Sequence, residues 1–143
     1  VRCVTPGTGI DILPITLVTT ASLRRLEREI GGPVDPRRFR ASFVLKNEVA
    51  HEEDGWRDRT LRIGTALLKV RTPVPRCIIP GFHPGEGARD LNVLRTLTRY
   101  REKVLHPDGL LPGHAAPGFA VYAQVIEPGS VRVGDTVEAP ACQ

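Results

Sequence analysis

Glycine and proline interrupt this chain at short intervals: 14 Gly and 13 Pro in 143 residues, spread throughout rather than gathered into one linker. Few long elements survive such punctuation, because Pro lacks a backbone donor and Gly is costly to order. Between the breaks lie short apolar runs. Ile15–Val18, Ser42–Leu45, Ala66–Val70, Arg76–Ile79 and Phe119–Ile126 read as strands, as does the segment after Trp56. In Ser130–Ala139, Val131 and Val133 alternate with polar residues up to a Gly-Asp turn, which suits a strand with one solvated face. The expected fold is mainly β with a few helices, a β-barrel or curled sheet at its core, in one domain spanning residues 1–143.

Two segments carry helical spacing. In TTASLRRLEREIGG, Thr20 or Ser22 can cap, Leu23, Leu26 and Ile30 form a stripe, and Gly31 ends it. In DLNVLRTLTRYREKV, Asp90 can cap, Leu91, Leu94 and Leu97 repeat every third residue with Thr98 and Arg101 continuing that face, and Arg95 and Arg99 lie on the wet side. Leu105–Gly118 is a long Pro/Gly loop.

Composition narrows the function classes. No run approaches ~18 consecutive apolar residues, so no membrane span is expected, and the N-terminus lacks a signal-peptide core. Three cysteines without a CxxC argue against a disulfide framework and for a reducing, cytoplasmic setting. The net charge is +4, with lysine only at positions 46, 69 and 103, so the positive charge is mostly arginine. Arginine grips phosphate or carboxylate with a planar fork; GC-rich coding produces the same bias. Aromatics are 5% and do not interleave with the arginines as stacking platforms, which argues against nucleic acid. Gly-rich nucleotide loops and HExxH are absent.

Three stretches carry chemistry. In PVPRCIIPGFHP, Cys77 follows Arg76, whose guanidinium would favour a thiolate; by its apolar flanks alone it reads as a packed core thiol. His83, six residues on, makes a Cys/His pair conceivable, though nothing in the sequence orients it. In DPRRFR, Arg37, Arg38 and Arg40 around Phe39 could grip a phosphate, or Phe39 enters the core while the arginines solvate a turn. HEEDGW holds an acidic cluster without the spacing of a calcium loop, and reads as a solvated turn with Trp56 on the core.

The ordered blocks PITLVTTASL, DPRRFRASFVL, EEDGWRDRTLRIG, VPRCIIPGFHPGEGARDLNVLRTLTRYR and GFAVYAQVIEPGSVRVGD strongly resemble the MOSC family, from about Asp11 to Val137. The family comprises the C-terminal domains of molybdenum cofactor sulfurases, their stand-alone relatives and the core of the mitochondrial amidoxime reducing component. The resemblance implies a β-barrel core and binding of the molybdenum cofactor, a molybdopterin carrying a dithiolene and a phosphate. It puts the molybdenum-ligating or sulfur-carrying cysteine at Cys77, a pterin or phosphate contact at Arg40, and further cofactor contacts at Asp11, Ile12, Arg38, Ser42 and Arg76. Ser42 stands where the family often has Asn, and Phe82-His83 where it usually has an acid. Pyridoxal phosphate enters only as a family-level association, since the chain has no aminotransferase-like domain.

Two functions follow from the resemblance. One is reduction of N-hydroxylated substrates at a cysteine-ligated molybdenum, with electrons from a separate flavin or iron–sulfur protein. The other is a sulfur-carrier module holding a persulfide on Cys77, supplied by a cysteine desulfurase. In 143 residues there is no room for the additional domains of larger relatives, so separate partner proteins are expected.

Overall fold

The computed structural model describes residues 13–105 and 115–138. Its frame is one seven-stranded sheet: β1 (Ile15–Thr19), β2 (Phe43–Leu45), β3 (Thr60–Ile63), β4 (Ala66–Pro75), β5 (Lys103–Leu105), β6 (Ala115–Glu127) and β7 (Val137–Glu138). The order is β2-β1-β6-β4-β3-β7, with β5 also paired to β6, and the sheet curls into a nearly closed barrel. Among the described residues only β1 and β2 run parallel. Their crossover carries helix α1 (Thr20–Ile30), as a parallel pair requires. A second helix, α2 (Val93–Tyr100), precedes β5.

Period-two alternation divides the apolar residues between two cores. Leu17, Val121 and Ala123 join Trp56, Leu61, Leu68 and Val70 in one cluster. Val18, Ala120 and Tyr122 join Leu23 and Leu26 of α1, Val93 and Leu97 of α2, Phe39 and Phe119 in the other. Strands β1 and β6 are covered on both faces, which is why they read as near-continuous apolar runs. Burial of Val93 and Leu97, ~2 kcal/mol each, holds an eight-residue helix too short to persist alone.

β4 and β6 slip register between Pro73 and Pro75, opposite Gly118–Val121. There Ala120 adopts φ 68° although it is not glycine. Prolines in β4 supply no ladder donor, so the ladder breaks and the strand pair bulges.

Several expectations change. Arg76–Ile79 is not a strand: β4 ends at Pro75 and the chain turns through a short 3-10 helix, Ile79–Gly81. Ser130–Ala139 reduces to β7, because Asp135 accepts from the Arg132 amide and closes a turn at Gly134 that leaves Val133 fully exposed. The α1 cap is Thr19, whose hydroxyl accepts from the Ser22 amide, while Gly31 ends the helix at φ 83° as expected. Asp90 caps nothing; Asn92 occupies the N-cap of α2 without a side-chain bond. Val93, Thr96 and Leu97 form the buried face of α2, and Thr98 is exposed. The ends of the Leu105–Gly118 loop belong to β5 and β6. Its centre lies outside the described residues, as do Asp11, Ile12, Cys3, Cys142, His106 and His114.

Candidate functional site

Where β4 ends, consecutive residues face opposite ways. The Arg76 amide donates to the Pro117 carbonyl at 3.0 Å. Its guanidinium turns inward: Nε donates to the Phe119 carbonyl at 2.8 Å, Nη1 to the Phe39 carbonyl at 3.3 Å, and the group lies 5.2 Å over the Phe39 ring. Cys77 is thereby turned out, exposed and with a free thiol. Ile78 and Ile79 beside it are 43% and 56% exposed. The packed-thiol reading is overturned, since Arg76 takes the inward position that the apolar flanks suggested for the cysteine.

The chain then folds back on itself. The Gly81 amide donates to the Ile78 carbonyl, and the Gly81 carbonyl accepts from the amides of Asp90 and Leu91. A Phe82–Arg89 bridge closes the intervening hairpin. His83, which the sequence left unoriented, is held by its own turn: Nδ1 accepts from the Gly85 and Glu86 amides at 3.2 and 3.1 Å. An accepting Nδ1 leaves the ring proton on Nε2.

The turn Pro36–Phe39 packs against this segment, and its arginines do three different things. Arg37 closes on Asp35, whose carboxyl this hydrogen bond lowers to about 2. Arg38 is 7% exposed; it grips Asp90 with both prongs, at 2.8 and 2.5 Å, and donates to the Pro80 carbonyl at 3.3 Å. The bond from Arg38 holds the Asp90 carboxyl below the usual range. Arg38, a phosphate candidate by sequence, therefore has its fork committed to a carboxylate of this chain. Arg40 sits in the left-handed region at φ 51°, exposed, with no side-chain partner among the described residues. Phe39 enters the core as one reading had it.

Arg40 and Cys77, 37 positions apart, are linked through the residues before them. Each follows a residue of a bonded pair, Phe39 and Arg76. Ser42, two residues beyond Arg40, ties β2 to β1: its hydroxyl accepts from the Thr16 amide at 3.1 Å and its amide donates to the Thr16 carbonyl. One exposed thiol and one uncommitted guanidinium offer a soft metal ligand and an anion clamp. Among the described residues no group of three His, Cys, Asp or Glu could hold a metal ion.

No local pattern signalled a polar knot on the other side of Phe119. Glu53 is completely buried and accepts from the Thr19 hydroxyl at 2.9 Å. Burial pushes its carboxyl up. His51 packs against Tyr100 and Phe119, and burial lowers it to about 4; burial raises Tyr100 to about 12. Glu53 Oε1, both His51 ring nitrogens, Asp54 Oδ1 and the Tyr100 hydroxyl find no partner among the described residues. Asp54 Oδ2 pairs with Arg101 at 2.5 Å, and Arg101 also donates to the Gly118 carbonyl. The acidic cluster is therefore no solvated turn, although Trp56 does pack on the core. Asp54, Tyr100 and Arg101 also wall a cleft of about 950 Å³ with Arg57, Arg71 and Gln124. None of its walls comes from residues 76–91.

A family model described as the MOSC domain matches residues 7–138. Mitochondrial amidoxime reducing component 2 of Rattus norvegicus and of Homo sapiens is each 34% identical over 128 residues, covering 89% of this chain and 37% of the relative. The human mitochondrial amidoxime-reducing component 1 is 30% identical over the same share of both. The chain thus spans little more than a third of these relatives. Among solved structures, YiiM from Geobacillus stearothermophilus superposes with TM-score 0.55 over 90% of this chain and 55% of that one, at 18% identity. That likeness concerns the fold alone.

Proposed function

The chain belongs to the MOSC domain family, and we propose that its cysteine face binds a molybdenum cofactor and reduces N-hydroxylated substrates with electrons from a separate protein. The observation that carries this reading is the exposed Cys77 thiol, whose preceding residue, Arg76, bonds the Phe39 carbonyl of the turn that ends at Arg40. The donor set fits the group. A pterin dithiolene supplies its own sulfur ligands, so a single protein thiolate suffices, and its phosphate suits a guanidinium with no partner among the described residues. Cys77 would ligate the metal and Arg40 would hold the phosphate. Ser42 and Arg76 support the two segments from behind. Asp11 and Ile12 remain proposed contacts that lie outside the described residues.

When bound, the cofactor supplies the two-electron redox chemistry. Converting N–OH to N–H consumes two electrons and two protons and releases water. This chain's part is to hold and orient. Arg76 fixes the backbone on which Cys77 stands, and exposed Ile78 and Ile79 give apolar surface beside the thiol. The relatives' names supply the substrate class, amidoximes, for this proposal. No helix among the described residues is long and apolar enough to cross a membrane.

The test is molybdenum analysis on protein from a host that makes the cofactor, for the parent and Cys77→Ala. Near-stoichiometric metal in the parent and its loss in the variant are expected. Equal metal in both removes Cys77 as the anchor. Metal-free parent protein that instead shows added sulfur on the Cys77 peptide, after treatment with a cysteine desulfurase, would identify a sulfur carrier.

A further inference from the structure

We propose that Asp90 is a positioning residue for the cysteine face: by gripping Arg38 it fixes the strap of residues 77–91 against the Pro36–Arg40 turn, and so sets the spacing between Cys77 and Arg40. What the two groups hold between them rests on the function proposed above; the latch itself does not.

The strap needs such a device. Cys77 and its neighbours lie beyond the end of β4 and outside the sheet ladder, and Cys77, Ile78 and Ile79 are all exposed. Upstream, Arg76 anchors the segment through the Pro117, Phe119 and Phe39 carbonyls. Downstream, the anchor is Arg38. Its Nη1 reaches both the Pro80 carbonyl and Asp90 Oδ1, so one guanidinium spans the two arms of the hairpin. The arms meet there because the Gly81 carbonyl takes the Asp90 and Leu91 amides. The fold-back is tight: a Cβ on Gly81 would lie 2.7 Å from the Leu91 carbonyl oxygen.

Asp90 has no other visible task. It stands two residues before the N-cap of α2 and gives that helix no bond. Arg38 depends on it, because a guanidinium with 4% of its side chain exposed is costly without a counter-charge. Both anchors end on the same turn, one at Phe39 and one at Arg38, and that turn ends at Arg40. Loosening the second anchor leaves Cys77 tethered from one side only.

The experiment reads the spacing directly in cofactor-free protein. Spin labels are placed at Cys77 and at Arg40→Cys, with Cys3→Ser and Cys142→Ser to remove other thiols, and their distance distribution is measured by pulsed electron resonance. A narrow distribution is expected with Asp90 and with Asp90→Glu. One about twofold broader is expected in Asp90→Asn and Asp90→Ala, with cooperative melting retained. Asp90→Asn is nearly isosteric and keeps the test available if the alanine variant does not fold. An unchanged width in the folded Asn or Ala variants overturns the proposal, as does equal broadening in Asp90→Glu. Since no metal is involved, failure here leaves the molybdenum reading standing, and failure of that reading leaves this one standing.

Discussion

The Arg76 guanidinium lies over the ring of Phe39 and donates to the carbonyl of that same residue. A second bond, to the Phe119 carbonyl, ties the end of β4 to the bulge in β6. Lysine can supply charge there but not a planar fork lying flat on a ring while serving two carbonyls. Arg76→Lys is expected to cost about 2 kcal/mol, read as a lower urea midpoint with an unchanged slope. A variant as stable as the parent would show that these contacts do not hold the strand end.

Arg40 offers the opposite case. Its side chain has no partner among the described residues and its backbone is left-handed, a conformation asparagine accepts readily. Arg40→Asn should therefore leave the melting temperature unchanged. If the guanidinium holds the cofactor phosphate, the variant should retain cofactor about tenfold more weakly, measured as molybdenum per protein after extended dialysis. Full retention would assign the phosphate to another group.

What the sequence disclosed and what it hid have physical reasons. β1, β6, α1 and the Gly31 stop were readable because period-two and period-3.6 burial, and a glycine at positive φ, are local rules. The Arg76–Ile79 run misled because Ile78 and Ile79 are exposed, and an exposed apolar pair looks like a buried one in sequence. Asp90 has the position of a helix cap, yet its partner lies 52 residues away. Glu53 sits among acids that read as wet, and only folding carries it to Thr19, 34 positions distant. The cysteine was a candidate from its own segment, where the apolar flanks favoured a packed thiol and the family resemblance a ligand. The tie between its segment and the turn that ends at Arg40 is the Phe39–Arg76 bond, which no spacing rule contains.

Two glycines at positive φ separate strain from collision. Gly31 ends α1 at φ 83°, and a Cβ added there would meet nothing within 4 Å. Gly64, at φ 56°, would place that atom 2.4 Å from the Ser130 carbonyl oxygen and 2.5 Å from Asp135 Oδ2. Gly31→Ala should cost ~1 kcal/mol, the left-handed penalty alone. Gly64→Ala should cost at least ~2 kcal/mol, because the β3–β4 turn must also part from residues 130–135. Equal losses in chemical denaturation would mean that the 130–135 loop yields freely.

The polar knot around Glu53 and His51 makes stability depend on pH in two opposing ways. Burial lowers His51 from 6.5 to about 4, assisted by Arg101 and Arg25 and opposed by Asp54. The unfolded chain therefore takes up a proton before the folded one does, and stability falls as pH drops from 6.5 toward 4. The loss is on the order of 1–2 kcal/mol. His51 stands at φ 63°, so His51→Asn keeps the backbone and should flatten this acid limb. Glu53 has the reverse sign. Burial raises its carboxyl above 4.5, with the bonds from Ser22 and Thr19 opposing and the Asp54 charge reinforcing. Its contribution is complete below 4.5 and is lost as pH rises through the folded value. Glu53→Gln keeps a neutral, hydrogen-bonding group at every pH, so its melting temperature should decline less than the parent's between pH 5 and pH 8. Parallel declines in the two proteins would show that Glu53 does not set the alkaline limb.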